Sequence, residues 1–149
     1  MSSPIEQQDY LTQLKTALPQ AEVEAVEGAA DPTILVKPEQ LLEVGKYLRD
    51  QAGLDYLSMV TSLDRPEYFE VVYYLYSYGA GGGPLVLKVR LPRENPEAPS
   101  MTSLWSGADW QEREVYDLMG ITFTGHPNLK PFLLPEDANF HPLRKDYVP

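Results

Sequence analysis

The sequence of 149 residues lacks cysteine altogether and has only two histidines. Without cysteine, the chain has no disulfide, no thiol nucleophile and no thiolate ligand for zinc or an iron–sulfur cluster. It also lacks an apolar run of eighteen or more residues, so no segment is predicted to cross a membrane. The opening segment, MSSPIEQQDY, has neither a basic region nor an apolar stretch, which argues against a secretory signal. These absences favour a cytosol-facing protein.

Positive charge is scarce as well. Lysine and arginine number 12 against 22 aspartates and glutamates, which gives a net charge of −10 and a pI near 4.5. Such a chain is not expected to bind nucleic acid or anionic lipid, because both require clustered basic side chains. The deficit is uneven, since the basic and acidic residues between His126 and Pro149 cancel. An acidic body followed by a neutral tail indicates that the two parts have different roles.

Seven elements are predicted before residue 92. Helical spacing of apolar residues, with a capping box at Ser3-Pro4-Ile5-Glu6, indicates the first helix, and alternating or β-branched residues indicate strands. The order α-β-β-α-β-β-β favours helices on one face of a mainly antiparallel sheet, so the expected fold class is α+β, a two-layer sandwich. In chain order the elements are a helix over about residues 4–18, a hairpin of 22–27 and 33–36, a helix from Pro38 to Gly53, and strands at 56–63, 69–78 and 85–91.

Beyond the last of these strands the composition changes. The stretch PRENPEAPS is rich in proline and is predicted to be an extended connector. From Gly125 onward, prolines exclude long regular elements, yet leucine, phenylalanine and tyrosine make the segment too apolar for a free linker. We therefore divide the chain into an α+β domain (1–91), a connector and short helix that complete it (92–120), and an extended Pro-rich docking tail (121–149).

The short helix is predicted within GADWQEREVYDLMG, residues 107–120, and its expected extent is 110–119. Asp109 has the side chain of an N-cap, Glu112 would complete a capping box, and Gly120 is a natural residue to end the helix. At about 100° per residue, however, Glu112 falls within the apolar arc of the helix. A carboxylate there must cap the helix, be paired or be protonated, because an unpaired buried charge is costly.

Trp110 is misplaced in the opposite sense, because it lies among charged side chains on the polar side of the helix. An indole flanked by Arg113 and Glu114 has the character of an interface anchor, since tryptophan and arginine are enriched at the energetic centres of interfaces. On the same side, Asp117 is spaced to pair with Arg113 at i,i+4. The alternative is structural: Glu112 only caps the helix, and Trp110 folds back onto the connector.

Catalytic and metal-binding interpretations are weaker. Glu112 could act as a general acid with His126 or His141, but no nucleophile, metal cluster or phosphate loop accompanies them. The two histidines and the acids between them fit no compact metal motif, and each histidine precedes a proline, which favours a positional role. The glycine-rich GAGGGP lacks the Gly-Lys-Ser/Thr of a phosphate loop. We assign no catalytic, cofactor-binding or metal-ligating residue.

Several segments together resemble one known family. LPRENPEAPSMTSLWSGADWQ, EREVYDLMGITFTGHPNLK and the downstream LLPED and HPLRKDY are similar to the thirty-kilodalton subunit of respiratory complex I, a peripheral-arm component of NADH:quinone oxidoreductase. The similarity is strong from Leu91 to Tyr147 and extends more loosely upstream to Asp55. The chain departs in two places: the family usually has a second basic residue after the position of Lys130, and commonly Phe at that of Met119.

The resemblance implies a non-catalytic subunit without a cofactor of its own, in a complex whose FMN and iron–sulfur clusters lie on other subunits. It implies contact with the hydrogenase-like large subunit, of forty-nine kilodaltons, near the quinone site, and with other peripheral-arm subunits. The expected location is the cytoplasmic side of the inner membrane, reached through these partners without membrane insertion. The residues expected at the partner interface are Trp110, Glu112, Arg113, Glu114, Asp117, His126, Lys130, His141, Arg144 and Lys145.

Three alternatives stay open at this stage. The same module would suit a membrane-bound hydrogenase or another donor:quinone oxidoreductase, because these complexes share the family. A small free-standing hydrolase or lyase would use Glu112 and His126 in a concave pocket. A generic adaptor would use the tail as its peptide ligand.

Overall fold

The computed structural model describes residues 7–79, 82–131, 133–135 and 140–148. The α+β class is confirmed, and the seven elements expected before residue 92 occur in the predicted order. The capping box predicted at Ser3-Pro4-Ile5-Glu6 lies outside the described residues. The helices are α1 (Gln7–Ala17), α2 (Leu41–Asp50) and α3 (Ala108–Met119), with a 3₁₀ turn at Pro38–Gln40. The strands are β1 (Val23–Ala25), β2 (Thr33–Val36), β3 (Tyr56–Asp64), β4 (Tyr68–Ser77), β5 (Gly82–Pro92), β6 (Glu97–Pro99) and β7 (Thr122–Thr124).

Five strands form one sheet in the order β1-β2-β5-β4-β3. Neighbouring strands run antiparallel except β2 and β5, which are parallel. The side chains of LVLKVRL in β5 alternate between the two faces of the sheet, as predicted. The first, third, fifth and seventh residues of this stretch enter the core, and those between them lie on the opposite face. The buried set of β5 is Leu85, Leu87, Val89 and Leu91.

The connector between β6 and α3 packs closely under α2. At Gly45, in the middle of α2, a Cβ atom would lie 2.6 Å from Cε of Met101 and 2.9 Å from Cδ1 of Leu104. A larger residue at this position would require the side chains of Met101 and Leu104 to shift. The approach brings Trp105 into the core, where its indole nitrogen donates to the carbonyl of Leu54 at 3.2 Å.

The connector and the start of the tail form a second sheet that the sequence pattern did not predict. In this sheet, β6 and β7 pair in parallel. Ile121 and Phe123 are buried in the core, while Thr122 and Thr124 between and beyond them are exposed, which is the period of a half-buried strand. The segment predicted as the tail, from residue 121 onward, therefore opens with a strand that pairs with the connector.

Candidate partner interface

Helix α3 begins earlier than the sequence indicates. Gly107 is its N-cap and makes no side-chain capping bond, so the prediction of Asp109 as the N-cap is wrong. Gly120 ends the helix as predicted, in the left-handed region at φ 75°. The helix is attached to the sheet along its edge, because Gln111 Oε1 accepts a hydrogen bond from the backbone nitrogen of Val60 in β3 at 2.7 Å.

Glu112 is completely enclosed, with 0% of its surface exposed. Its Oε1 accepts a hydrogen bond from Ser100 Oγ at 2.6 Å, and its Oε2 accepts one from the nitrogen of Met101 at 2.7 Å. Burial raises the pKa of this carboxyl, and the two hydrogen bonds act in the opposite direction. With Gly107 as N-cap, Glu112 lies beyond the position that a capping box requires, so that interpretation is wrong.

The burial of Glu112 also corrects its expected place at a partner interface. A side chain without exposed surface is not within reach of another protein, and its two partners come from the chain's own connector. The carboxylate instead joins α3 to residues 100–101. The apolar arc in which the sequence placed it is the buried side of the helix, with Val115 and Met119 in the core.

His126 fixes the start of the tail to the start of α3. Its ring is fully buried, and Nδ1 accepts a hydrogen bond from the nitrogen of Asn128 at 2.9 Å. The proton is therefore assigned to Nε2, which lies 3.0 Å from the carbonyl oxygen of Asp109 and 3.1 Å from its Oδ1. Both ring nitrogens are engaged in local contacts. Glu112 and His126 have different polar partners: Ser100 and Met101 bind the carboxylate, and Asp109 and Asn128 bind the ring.

The polar side of α3 holds the first part of the tail. Asp117 is buried, and its Oδ2 accepts hydrogen bonds from the nitrogens of Leu133 and Leu134 at 2.6 and 2.8 Å. One turn earlier, the guanidinium of Arg113 lies 3.4 Å from the carbonyl oxygens of both Lys130 and Pro131. Two predicted interface residues thus contact the chain's own tail, which folds back onto the body.

The second part of the tail covers the C-terminal end of α3. The last carbonyls of a helix have no partner within it, and donors from elsewhere stabilise them. The tail supplies such donors to three consecutive carbonyls. The pairs are His141 Nδ1 with Asp117 at 3.2 Å, the nitrogen of Leu143 with Leu118 at 3.1 Å, and Arg144 Nε with Met119 at 2.7 Å.

One further contact ties the tail to the sheet. The backbone nitrogen of Lys145 donates to Oδ2 of Asp64, at the end of β3, at 2.8 Å. The same carboxylate pairs with Arg93 of the connector. Asp64 is buried and is absent from the residues singled out in the sequence, because its partners lie far away along the chain. A lone acid at the end of a strand gives no local signal of this role.

The remaining predicted interface residues lie on the surface. Trp110 is 57% exposed, and the guanidinium of Arg113 lies 4.7 Å from the centre of its indole. It does not fold back into the core. Glu114, Lys130 and Lys145 retain exposed surface as well. The tail adds exposed apolar side chains to this surface: Leu133, Phe140, Leu143 and Val148.

Comparison with known proteins identifies the family. Residues 34–149 match the family described as "Respiratory-chain NADH dehydrogenase, 30 Kd subunit". The chain belongs to this family. The NADH-quinone oxidoreductase C subunit of Roseiflexus castenholzii is 45% identical over 141 residues, which cover 91% of this chain and 80% of the relative. The F420H2 dehydrogenase C subunit of Methanosarcina mazei is 44% identical over 115 residues, 75% of this chain and 72% of the relative.

Two solved structures resemble this member of the family. The trypsin-resistant fragment (1–134) of Nqo5 matches with a TM-score of 0.67 and 32% identity, over 83% of this chain and 99% of the fragment. A chain of the membrane-bound sulfane sulfur reductase, an archaeal respiratory membrane complex, has a TM-score of 0.78 at 21% identity, over 95% and 85% of the two chains. This second likeness concerns the fold. The family match and the NADH-quinone oxidoreductase relatives together show a module of complex I type.

Within the described ranges, no group of three or more His, Cys, Asp or Glu side chains is arranged to hold a metal ion. No helix in those ranges is both long enough and apolar enough to cross a membrane.

Proposed function

We propose that this chain is a non-catalytic peripheral-arm subunit of a proton-pumping NADH:quinone oxidoreductase. In that role it scaffolds the hydrogenase-like large subunit near the quinone site, while FMN and iron–sulfur clusters are carried by other subunits. It is held on the cytoplasmic side of the inner membrane by its partners. The observation that carries the proposal is the exposed indole of Trp110 in a chain of this respiratory family, beside a tail with exposed apolar side chains.

The exposure of these side chains supports a docking role on physical grounds. Burial of a large apolar side chain in an interface removes it from water, and tryptophan is among the residues that contribute most to binding. Trp110 is held in position by the cation–π contact with Arg113, so little conformational freedom is lost when a partner covers it. Glu114, Lys130 and Lys145 supply accessible charges around it.

The members of the predicted set that hold the tail against α3 support the proposal indirectly. Asp117, His126, His141 and Arg144 bind the tail to α3, and they thereby determine which apolar side chains the tail presents. In this proposal these residues influence binding of the partner subunit only by setting the position of the tail. Direct contact is left to the exposed residues.

Co-expression with the large hydrogenase-like subunit from the same source, followed by size-exclusion chromatography, tests the proposal. Trp110→Ala should weaken assembly by about 2 kcal/mol, roughly thirtyfold in Kd, without lowering the stability of the isolated chain. Leu42→Ala, which truncates an exposed apolar residue on α2, is the matched control and should leave assembly unchanged. A truncation after Gly125 should abolish co-elution. Co-elution that survives both Trp110→Ala and the truncation would refute the proposed interface.

A second candidate is the same module in a complex with another electron donor. The likeness to the F420H2 dehydrogenase relative favours it, at an identity comparable to that of the NADH-quinone relative. The companion subunits distinguish the two candidates. Identification of the proteins that co-purify with the tagged chain from its source, together with reduction of a quinone by NADH or by F420H2, would assign the donor.

A further inference from the structure

One face of the five-stranded sheet does not belong to the core. In β4 the core takes Phe69, Val71, Tyr73 and Leu75, so the residues between them point to the opposite face. Val72 and Val86 on that face are buried, yet they are not part of the core cluster. We call this side of the sheet the outer face.

The outer face exposes an apolar strip on the edge strand β3. The strip consists of Tyr56, Met59 and Leu63, which are 48%, 41% and 37% exposed. Their cross-strand partners are Tyr76, Tyr74 and Glu70 of β4, all on the outer face. Exposed apolar side chains grouped along one strand form the kind of surface that marks a contact site for another protein.

Beside the apolar strip lies a cluster of three cations around one carboxylate. Glu70 is buried, and its carboxylate oxygens lie 3.3 Å from Arg90 Nε, 3.5 Å from Arg65 Nε and 3.9 Å from Lys88 Nζ. We call these four residues the cationic cluster, because their formal charges sum to +2. Counting the exposed Glu67 of the neighbouring turn still leaves +1, in a chain whose net charge is −10.

The cations of this cluster keep hydrogen-bonding capacity for a further acid. Glu70 Oε1 makes no hydrogen bond in the described part of the chain, although two cations lie within 4 Å of it. The side chains of Arg65 and Arg90 are about half exposed, and Arg90 is held over the ring of Tyr68 at 4.7 Å. Guanidinium groups in this arrangement present outward N–H donors that match a carboxylate.

The combination of charge and apolar surface selects among possible occupants. Three cations on a strongly acidic chain are too few for the polyanionic backbone of a nucleic acid or for a lipid surface. A second copy in a symmetric contact would bring two cationic clusters of the same sign together. An acidic segment of a different protein, with apolar side chains next to its carboxylates, complements both parts of the face.

We propose that the outer face is a second docking surface, distinct from α3 and the tail, for an acidic segment of another subunit of the same complex. Carboxylates of that segment bind Arg65 and Arg90, and its apolar side chains pack on Tyr56, Met59 and Leu63. This inference rests on the proposed function, because it assigns the partner to the same assembly. It differs from that function in the surface used and in the subunit bound.

Carbodiimide cross-linking of the assembled complex tests this surface directly, because the reagent joins an amine to a carboxylate that touches it. The variant Arg65→Lys keeps the charge and introduces an amine at the rim of the cluster. The complex purified with this chain should yield a cross-link from that amine to an aspartate or glutamate of one particular subunit. Lys46, an exposed amine on α2, is the control and should not give the same cross-link.

Variants on the Arg65→Lys background then separate the two proposals. Met59→Ser with Leu63→Ser should lower the yield of this cross-link at least about tenfold, since loss of two apolar contacts exceeds about 1.4 kcal/mol. Arg90→Gln should lower it as well, and more so at low salt, where the charge of Arg90 is least screened. These side chains are exposed or half exposed, and thermal melting of the isolated chain verifies that the fold persists. The large subunit should still co-elute.

Other results would overturn the outer-face proposal in recognisable ways. A cross-link that is absent while the large subunit still co-purifies would refute the second surface and leave the proposed function intact. A cross-link to a second copy of this chain would replace the partner with self-association. Failure of the wild-type chain to co-purify with any respiratory subunit would instead refute the proposed function.

Discussion

The Oε2 atom of Glu112 lies 2.7 Å from the backbone nitrogen of Met101 and accepts its hydrogen bond inside the protein. The other carboxylate oxygen accepts from Ser100, so a single side chain of α3 satisfies two donors of the connector. Buried backbone N–H groups require a hydrogen-bond acceptor. A connector without regular secondary structure cannot provide that acceptor through helical or strand-pairing hydrogen bonds. This contact fixes the connector beneath α2, where Gly45 leaves space for it.

Replacement of Glu112 by alanine should destabilise the fold strongly. Each buried donor left without an acceptor costs about 1–3 kcal/mol, so we expect the free energy of unfolding to fall by at least about 2 kcal/mol. Glu112→Gln retains an acceptor for Met101 and a donor for Ser100, and its loss should be clearly smaller. Urea denaturation of the three proteins measures the difference. Equal losses in both variants would contradict the role of the hydrogen bonds.

The pH dependence of stability should carry a contribution from Glu112. Burial raises the pKa of its carboxyl above the ordinary 4.5, so the native state holds this proton more tightly than the unfolded chain does. The resulting stability is fully present below pH 4.5 and is lost as the pH rises through the raised pKa. Glu112→Gln lacks this titration. Its free energy of unfolding should therefore improve relative to the wild type as the pH rises from about 4.5 through the raised pKa.

Removal of the Tyr73 hydroxyl should not harm the fold. This side chain is completely buried, and its oxygen has no hydrogen-bond partner in the described part of the chain. Burial raises the pKa of Tyr73 well above the ordinary 10, and the nearby carboxylate of Glu112 adds to the effect. Because an unpaired buried hydroxyl is unfavourable, Tyr73→Phe should be neutral or raise the free energy of unfolding by about 1 kcal/mol. A loss of stability in urea would reveal a polar partner for the hydroxyl.

Asp117 should control the first part of the tail without controlling the whole fold. Its carboxylate accepts hydrogen bonds from the nitrogens of Leu133 and Leu134, and charge-assisted bonds of this kind contribute about 1.5–3 kcal/mol each. In Asp117→Ala, hydrogen-exchange protection at these two nitrogens should fall at least about tenfold. Glu114→Ala, an accessible acid on the same helix, is the control. Unchanged protection in Asp117→Ala would mean that other contacts hold the segment.

Gly120 and Gly125 offer a matched test of the tail's second part. Both have positive φ, 75° and 82°, so alanine at either position should cost about 1–2 kcal/mol through backbone strain. Only at Gly120 would the added Cβ meet the tail, 2.6 Å from Nη2 of Arg144 and 2.7 Å from Cδ2 of His141. Gly120→Ala should therefore destabilise more and also expose residues 141–145 to hydrogen exchange.

The control in this pair gives a clear alternative outcome. A Cβ atom at Gly125 has nothing within 4 Å, so its substitution should leave the exchange of the tail unchanged. Equal effects of the two variants would show that backbone strain alone governs the response. The close packing of Arg144 and His141 on Gly120 would then make no measurable contribution to the free energy of unfolding.

The strands of the main sheet could be predicted because their signal is local. In β5 the alternation of Leu85, Leu87 and Val89 with Val86 and Lys88 has the period of a strand with one face on the core. Gly120 could likewise be recognised as the end of α3 from its residue type. The sequence does not indicate the N-terminus of α3, because Asp109 is a good capping residue whose side chain instead contacts His126.

The pairing of β6 with β7 had no comparable signal. Each strand has three residues, and they are joined across the whole of α3, so no window of sequence contains both. The candidate site shows the same limit. The exposure of Trp110 could be predicted from its place on the polar side of the helix. The position of Asp117 beneath the tail could not be predicted, however. It depends on the path of a proline-rich segment whose residues show no helical or strand periodicity.

By itself the sequence determined the class of the fold, the order of the elements before residue 92 and the family. It also showed that Glu112 lies on the apolar side of α3 and Trp110 on the polar side. These follow from periodicity and residue type, which act between near neighbours in the chain. Only the tertiary structure decided that Glu112 is bound inside by Ser100 and Met101, and that the tail satisfies the last carbonyls of α3. The physical reason is that a buried polar group must find a partner, and the partner is chosen by proximity in space.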